Sequence, residues 1–276
     1  MSPDNKTTLD NVLRMTEMKD SDKYLGVTLL MGRDKTKALK PILQSFGSRL
    51  KNWKGKTMNH SARTTMVKHV LNTLPSHQMG SFRIPKTMIS QMETLQRQFW
   101  WGKEKGIFFI GWNKLMIRKA LGGLGFRNLE HFNTALLDKV AWRTCNDEDY
   151  LCFTILKAKY AKNDNFLHLE KLQDDCSWLW RSIYSGLEII KQHTIWVVRC
   201  GTKISIWLDC WVIGLNSPPV PIVGSSSYNN FNLACDLYLP GTREWNINTI
   251  NTLFSQDVVN LILNMQIPNS GEDFII

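Results

Sequence analysis

Apolar residues recur at helical spacing through most of this sequence, and that periodicity admits few architectures other than packed helices. Leu39, Ile42, Leu43, Phe46, Leu50 and Trp53 predict an amphipathic helix over 36–53, with Lys37, Lys40, Gln44, Ser48 and Lys51 on its other face. Pro41 falls in its first turns, where a missing N–H costs least, and Gly55 marks its end. A second helix starts from Asn59 or Ser61 as N-cap, turns Ala62, Met66, Val70 and Leu74 inward, and stops at Pro75. Pro85 opens a third, with Ile89, Met92, Leu95 and Phe99 on one stripe, closed by Trp100-Trp101-Gly102. Further helices are predicted over 129–145, 150–160, 177–192 and 249–265, with a partial one over 9–18. Extended structure is sparse: a short strand over 24–29, a short piece over 107–112, and a hairpin of 194–200 against 203–211 turning at Gly201-Thr202. The run NSPPVPIVGSSSYNN reads as a linker. The expected fold class is therefore mainly α, with a small β-hairpin late in the chain.

Charge is distributed unevenly over these elements. The net charge is +10, yet 33–143 alone holds 21 Lys/Arg against 5 Asp/Glu, and 35–92 holds eleven basic residues and no acidic one. A solvated face normally mixes both signs, so a one-signed stretch of this length implies a polyanionic partner, with nucleic acid ahead of an anionic membrane surface. No apolar run approaches the ~18 residues of a membrane span, and no secretory or transit signal opens the sequence, so an intracellular location is expected, in nucleus, cytoplasm or mitochondrion.

Catalytic and metal chemistry find little support. Two-metal polymerase chemistry needs carboxylates projecting from an apolar sheet, whereas Asp174-Asp175 precedes a helix start and Asp147-Glu148-Asp149 interrupts two helices. Gly122-Gly123-Leu124-Gly125 lacks the preceding strand and following Lys-Ser/Thr of a phosphate loop and reads as a tight turn. Cys145, Cys152, Cys176, Cys200, Cys210 and Cys235 lack zinc-ligand spacing, and His60, His69, His77 and His131 lack an orienting partner. No catalytic residue, metal ligand or cofactor is expected. Lys51, Lys54, Lys56, Arg63 and Lys68 are the candidate phosphate contacts. Trp53, flanked by lysines, is a candidate stacking residue, against the plainer reading that it is the last packed residue of its helix.

The segment YLGVTLLMGRDKTKALKPILQSFGSRLKNWKGKTMNHSARTTMVKHVLNTLPSHQM resembles the stretch following the palm in plant LINE-type (non-LTR) retrotransposon reverse transcriptases. FWWGKEKGIFFIGWNKL, GGLGFRNLEHFNTALLDKVAWR, ILKAKY, SWLWRSIYSGLEII and WVVRCGTKISIWLDCW follow in the same order, so the resemblance covers about 2–267. Some plant organellar reading frames look like copies of this region. Thr28 stands where the family's YLG-x-P pattern has proline.

The resemblance implies a palm remnant and linking strand over 1–32, a basic helical thumb-like bundle over 33–145, helices with the hairpin over 146–214, and a linker with a terminal helix over 215–276. It implies backbone binding of RNA, DNA or an RNA–DNA hybrid without sequence readout, with the reverse-transcriptase palm domain as a protein partner. The palm carboxylates are expected upstream, and the zinc-binding and ribonuclease H segments beyond the end. Two other readings stand beside a non-catalytic fragment. One is a piece of an active RNA-directed DNA polymerase; the other is a domesticated RNA-binding or scaffold protein.

Overall fold

The computed structural model describes residues 23–24, 27–28, 34–52, 58–103, 105–146, 150–161, 165–222 and 229–276. The fold is mainly α, and it divides into two compact units, Met1–Leu137 and Asp138–Ile276. No helix among the described residues is long and apolar enough to cross a membrane.

In the first unit, β1 (Lys23–Tyr24) pairs antiparallel with β2 (Val27–Thr28). Helix α1 (Lys35–Asn52) follows, and Asp34 caps it by accepting the Thr36 and Lys37 amides at 3.0 and 3.2 Å. Leu39, Ile42 and Phe46 form its buried stripe, as the spacing predicted. Pro41 lies inside the helix and removes one donor, a tolerable loss on a surface-exposed turn. The predicted helix 9–18 lies outside the described residues.

Helix α2 (His60–Met66) starts where Asn59 accepts the Ala62 amide at 2.8 Å, then widens into a π turn, Val67–Leu71. A single helical turn, α3 (Ser76–Met79), leads to α4 (Lys86–Trp101). Val67, Leu71, Met79, Met88, Met92 and Trp100 bury together with the α1 stripe. Gly102, at φ 67°, closes α4: the Lys103 amide reaches the Gln98 carbonyl at 3.1 Å. The expected extended piece at 107–112 forms no strand; α5 (Trp112–Met116) begins inside it.

The glycine turn that follows is tied inward. Amides of Gly123, Leu124, Gly125 and Phe126 all donate to carbonyls of Leu115, Ile117 and Arg118. A Cβ on Gly123 would fall 2.0 Å from the Ile117 carbonyl oxygen, so only glycine fits. With its amides consumed, this turn has none to offer a phosphate.

Helix α6 (Leu129–Asn146) contains the boundary between the units. In the second unit, α7 (Leu151–Tyr160) and α8 (Trp178–His193) supply one core. There Tyr160 stacks on Trp180 with ring centroids 5.6 Å apart, and Phe166 and Ile183 fill in around them. Ser177 caps α8 through the Trp180 amide at 3.2 Å.

The second core gathers Val198, Ile204, Ile206, Trp211 and Phe254. Here the predicted hairpin is corrected. Strand β3 (Trp196–Val197) pairs antiparallel with β4 (Phe274–Ile275), in register Trp196↔Ile275. The 203–211 segment runs irregularly, touching strand geometry only at the Ser205↔Leu233 bridge. The reason is Asp273, whose carboxylate accepts the amides of Arg199, Gly201 and Lys203 at 2.7, 2.9 and 3.1 Å. Those donors are turned toward a buried carboxylate, which leaves them unable to serve a local ladder. The terminal helix is likewise two, α9 (Ile247–Leu253) and α10 (Gln256–Leu263), broken at an extended Phe254.

Candidate nucleic-acid interface

Among its described residues, the first unit carries a large excess of positive charge with few acidic partners. Its described acidic residues are Asp34, Glu93 and Glu130. Asp34 is engaged in its cap, Glu130 meets Lys86 at 2.8 Å, and Glu93 is half-buried, with burial pushing its carboxyl upward. Exposed Lys37, Lys40, Arg49, Lys51, Arg118 and Lys119 therefore lie on a surface of nearly one sign.

The predicted contact residues fall into four groups. Lys51 is exposed in the last turn of α1, beside Arg49. Both stand at the helix C-terminus, where the macrodipole favours cations even without a ligand. Trp53, Lys54 and Lys56 lie outside the described residues.

Arg63 has a different position from the one its spacing suggested. It is buried, its Nη1 donates to the Trp100 carbonyl at 3.2 Å, and its guanidinium lies against Gly102. The cation thus satisfies an end-of-helix carbonyl at the negative pole of α4, a structural task that keeps it from reaching outward to phosphate.

Lys68, on the π turn, is half-buried. Burial pushes its ammonium below the ordinary lysine range, and the positive charge of Lys119 pushes further the same way. Lys119 stands on a short 3₁₀ turn, Lys119–Leu121, just before the glycine turn, and Gly125 approaches Lys68 Nζ from that turn. The sequence reading missed Lys119. Its only signal is the pair Arg118-Lys119 set against a rigid glycine turn.

Asp174 and Asp175 are exposed in a turn ahead of α8, and among the described residues no group of three or more His, Cys, Asp or Glu is placed to hold a metal ion. In the second unit His168 Nε2 lies 2.8 Å from Asp209 Oδ1, beside a cavity of about 240 Å³. The second oxygen of Asp209 accepts the Ser205 amide at 2.7 Å, so this carboxylate pins a loop. The neighbouring Cys210 thiol is pushed upward by burial and then by the Asp209 charge, the reverse of what a thiolate nucleophile requires.

No protein-family model matches the chain. Over 225 residues, covering 76% of this chain and 34% of the relative, it is 31% identical to the "Putative ribonuclease H protein At1g65750" of Arabidopsis thaliana. Over 152 residues, covering 54% of this chain and 97% of the relative, it is 30% identical to the "Uncharacterized mitochondrial protein AtMg00310" of the same plant. The chain thus spans about a third of the first relative's length and nearly all of the second.

Proposed function

We propose, from the premise that this chain belongs to the family of the Arabidopsis thaliana mitochondrial protein AtMg00310, that it is a retrotransposon-derived fragment that grips nucleic-acid backbone without reading sequence. The finer reading is a thumb and post-thumb region of a LINE-type reverse transcriptase, non-catalytic by itself. Its ligand is RNA, DNA or their hybrid, and the palm of the polymerase is its protein partner.

The observation that supports this reading is the strong excess of lysine and arginine over acidic residues among the described residues of the first unit. Lysines on exposed helical faces contact phosphates and position a duplex; they carry no base-edge readout. Lys51, Lys54, Lys56 and Lys68 are the contacts proposed, with Trp53 stacking beside them. Arg63 fixes the end of α4 instead.

The test is a salt titration of duplex binding by fluorescence anisotropy. Each phosphate contact removed reduces the log–log slope by about 0.9 on B-DNA. Changing Lys51, Lys54 and Lys56 to Gln should flatten the slope by about two to three units. The same change at Lys157, Lys159 and Lys162 should do much less. Equal losses from the two triple variants would reject the assignment.

A further inference from the structure

The loop after α4 exposes aromatic surface in a way the fold does not require. Gly102 and Gly106, at φ 67° and 113°, turn the chain so that Ile107 and Phe109 stand 81% and 83% exposed. Isolated exposed apolar residues need no explanation, but these lie in an unbroken Ile-Phe-Phe-Ile run, with Ile110 exposed as well. The rings are also organised. Phe108 and Phe109 have centroids 6.1 and 6.0 Å from Trp101, which forms the half-buried floor of the group.

Cations are built into the same cluster. Lys103 Nζ lies 5.8, 5.5 and 5.1 Å from the centroids of Trp101, Phe108 and Phe109, and donates to the Ile107 carbonyl. The Arg97 guanidinium stands 5.0 Å over the Phe108 ring, and Lys105 is exposed beside them. Across 97–127 the sequence has seven Lys/Arg and a single acidic residue, Glu104.

We propose that Phe109, on its floor of Trp101 and flanked by Lys103, is a stacking platform for an unpaired base of a single-stranded polynucleotide. This rests on the reading above that the first unit binds nucleic acid, and it names the form of strand that this loop takes. A free base offers a π-face to Phe109, while its phosphate meets the Lys103 ammonium. Bases within a duplex are already stacked on one another and offer an aromatic side chain only their edges. A second copy of this chain is disfavoured as the occupant, because it would set two positive patches face to face.

Anisotropy with labelled dT20, rU20 and a duplex of matched length tests the platform on the full chain. Phe109→Ala removes a side chain that is mostly in solvent, so the fold should stand. Its affinity for dT20 and rU20 should fall about fivefold to a hundredfold, with duplex affinity changed less than about twofold. Phe109→Trp should restore single-strand binding and Phe109→Leu should not, since leucine replaces the apolar surface without the π-face. The two single-strand arms separate DNA from RNA as the source of the base.

Unchanged single-strand affinity in Phe109→Ala overturns the proposal. So does full rescue by leucine, an equal loss on the duplex, or dissociation of a wild-type dimer by Phe109→Ala with strand binding intact. A wild-type chain that binds none of the three ligands overturns the backbone-binding reading and this proposal together. A chain that binds the duplex but is indifferent to residue 109 overturns the platform alone.

Discussion

Asn133 fixes Ile84 from 49 positions away: its side-chain oxygen accepts the Ile84 amide at 2.8 Å, while its nitrogen donates to the Met79 and Phe82 carbonyls at 2.7 and 2.9 Å. The asparagine is buried, and it satisfies main-chain groups that have no helix or strand to serve them. This one side chain holds the connection between α3 and α4. Asn133→Ala should lower stability by about 2–4 kcal/mol, since three hydrogen bonds are lost and buried partners are left unpaired. Urea unfolding followed by circular dichroism gives the measurement. A midpoint equal to wild type would show that this stitch is dispensable.

Arg63 and Gly102 should be energetically coupled. A Cβ at Gly102 would fall 2.5 Å from Arg63 Nη1, and the backbone there has φ 67°. Gly102→Ala is therefore expected to cost about 1–3 kcal/mol. In an Arg63→Met background the added cost should shrink, because the guanidinium no longer crowds the methyl group. A double-mutant cycle with a coupling below about 0.5 kcal/mol would contradict this arrangement.

Asp273 should make the stability of the second unit acid-sensitive. Burial alone would raise its carboxyl, but amide bonds from Gly201, Arg199 and Lys203, with the Cys200 thiol, outweigh it and hold the group below the ordinary aspartate value. A pKa depressed by folding contributes stability that is present above the unfolded value and lost as pH falls through the folded one. Wild-type protein should thus lose stability below about pH 4, whereas Asp273→Asn should lack that component. Tryptophan fluorescence during urea unfolding, repeated across that range, reads both. Parallel pH profiles would remove Asp273 from the account.

Asp273→Asn should also destabilise the second unit at neutral pH, by roughly 2–3 kcal/mol. An amide can accept with one oxygen, but its NH2 then confronts amides that point at it. Differential scanning calorimetry should show a lower transition for that unit. An unaltered thermogram would mean the 199–203 turn is held by other contacts.

What the sequence disclosed and what it hid divide by distance along the chain. Asn59 as an N-cap, Gly102 as a helix stop and the stripe Leu39, Ile42, Phe46 are local signals, and the structure realises each of them. The hairpin survives only as the Trp196 amide donating to the Cys210 carbonyl at 2.8 Å, while the strand beside Trp196 is Phe274–Ile275, and no turn signal near 201 discloses a rival so far away. The terminal helix was read as one because apolar spacing persists across Phe254-Ser255, while the extended backbone at Phe254 restarts the helix from Ser255.

The candidate interface follows the same division. Its charge was plain from counting, since lysines on an acid-poor segment have few places to be neutralised. The burial of Arg63 was not, because it depends on the end of α4 arriving beside it. Phe108 and Phe109 fall within the stretch whose sequence predicts extended structure. A four-residue apolar run bracketed by Gly106 and Gly111, without alternation, was the available hint.

The placement of Asp273 also bears on how this polypeptide is made. It neutralises amide donors of 199–203, up to 74 positions earlier, and the adjoining Phe274–Ile275 completes the ladder with Trp196–Val197. During translation, about seventy residues must emerge after the turn before its partner exists. A ribosome that stops at 270, or slips frame after it, releases a second unit with those amides unanswered and Trp196 without its strand. Loss of a few codons near residue 273 would therefore leave the second unit without the contacts that close it.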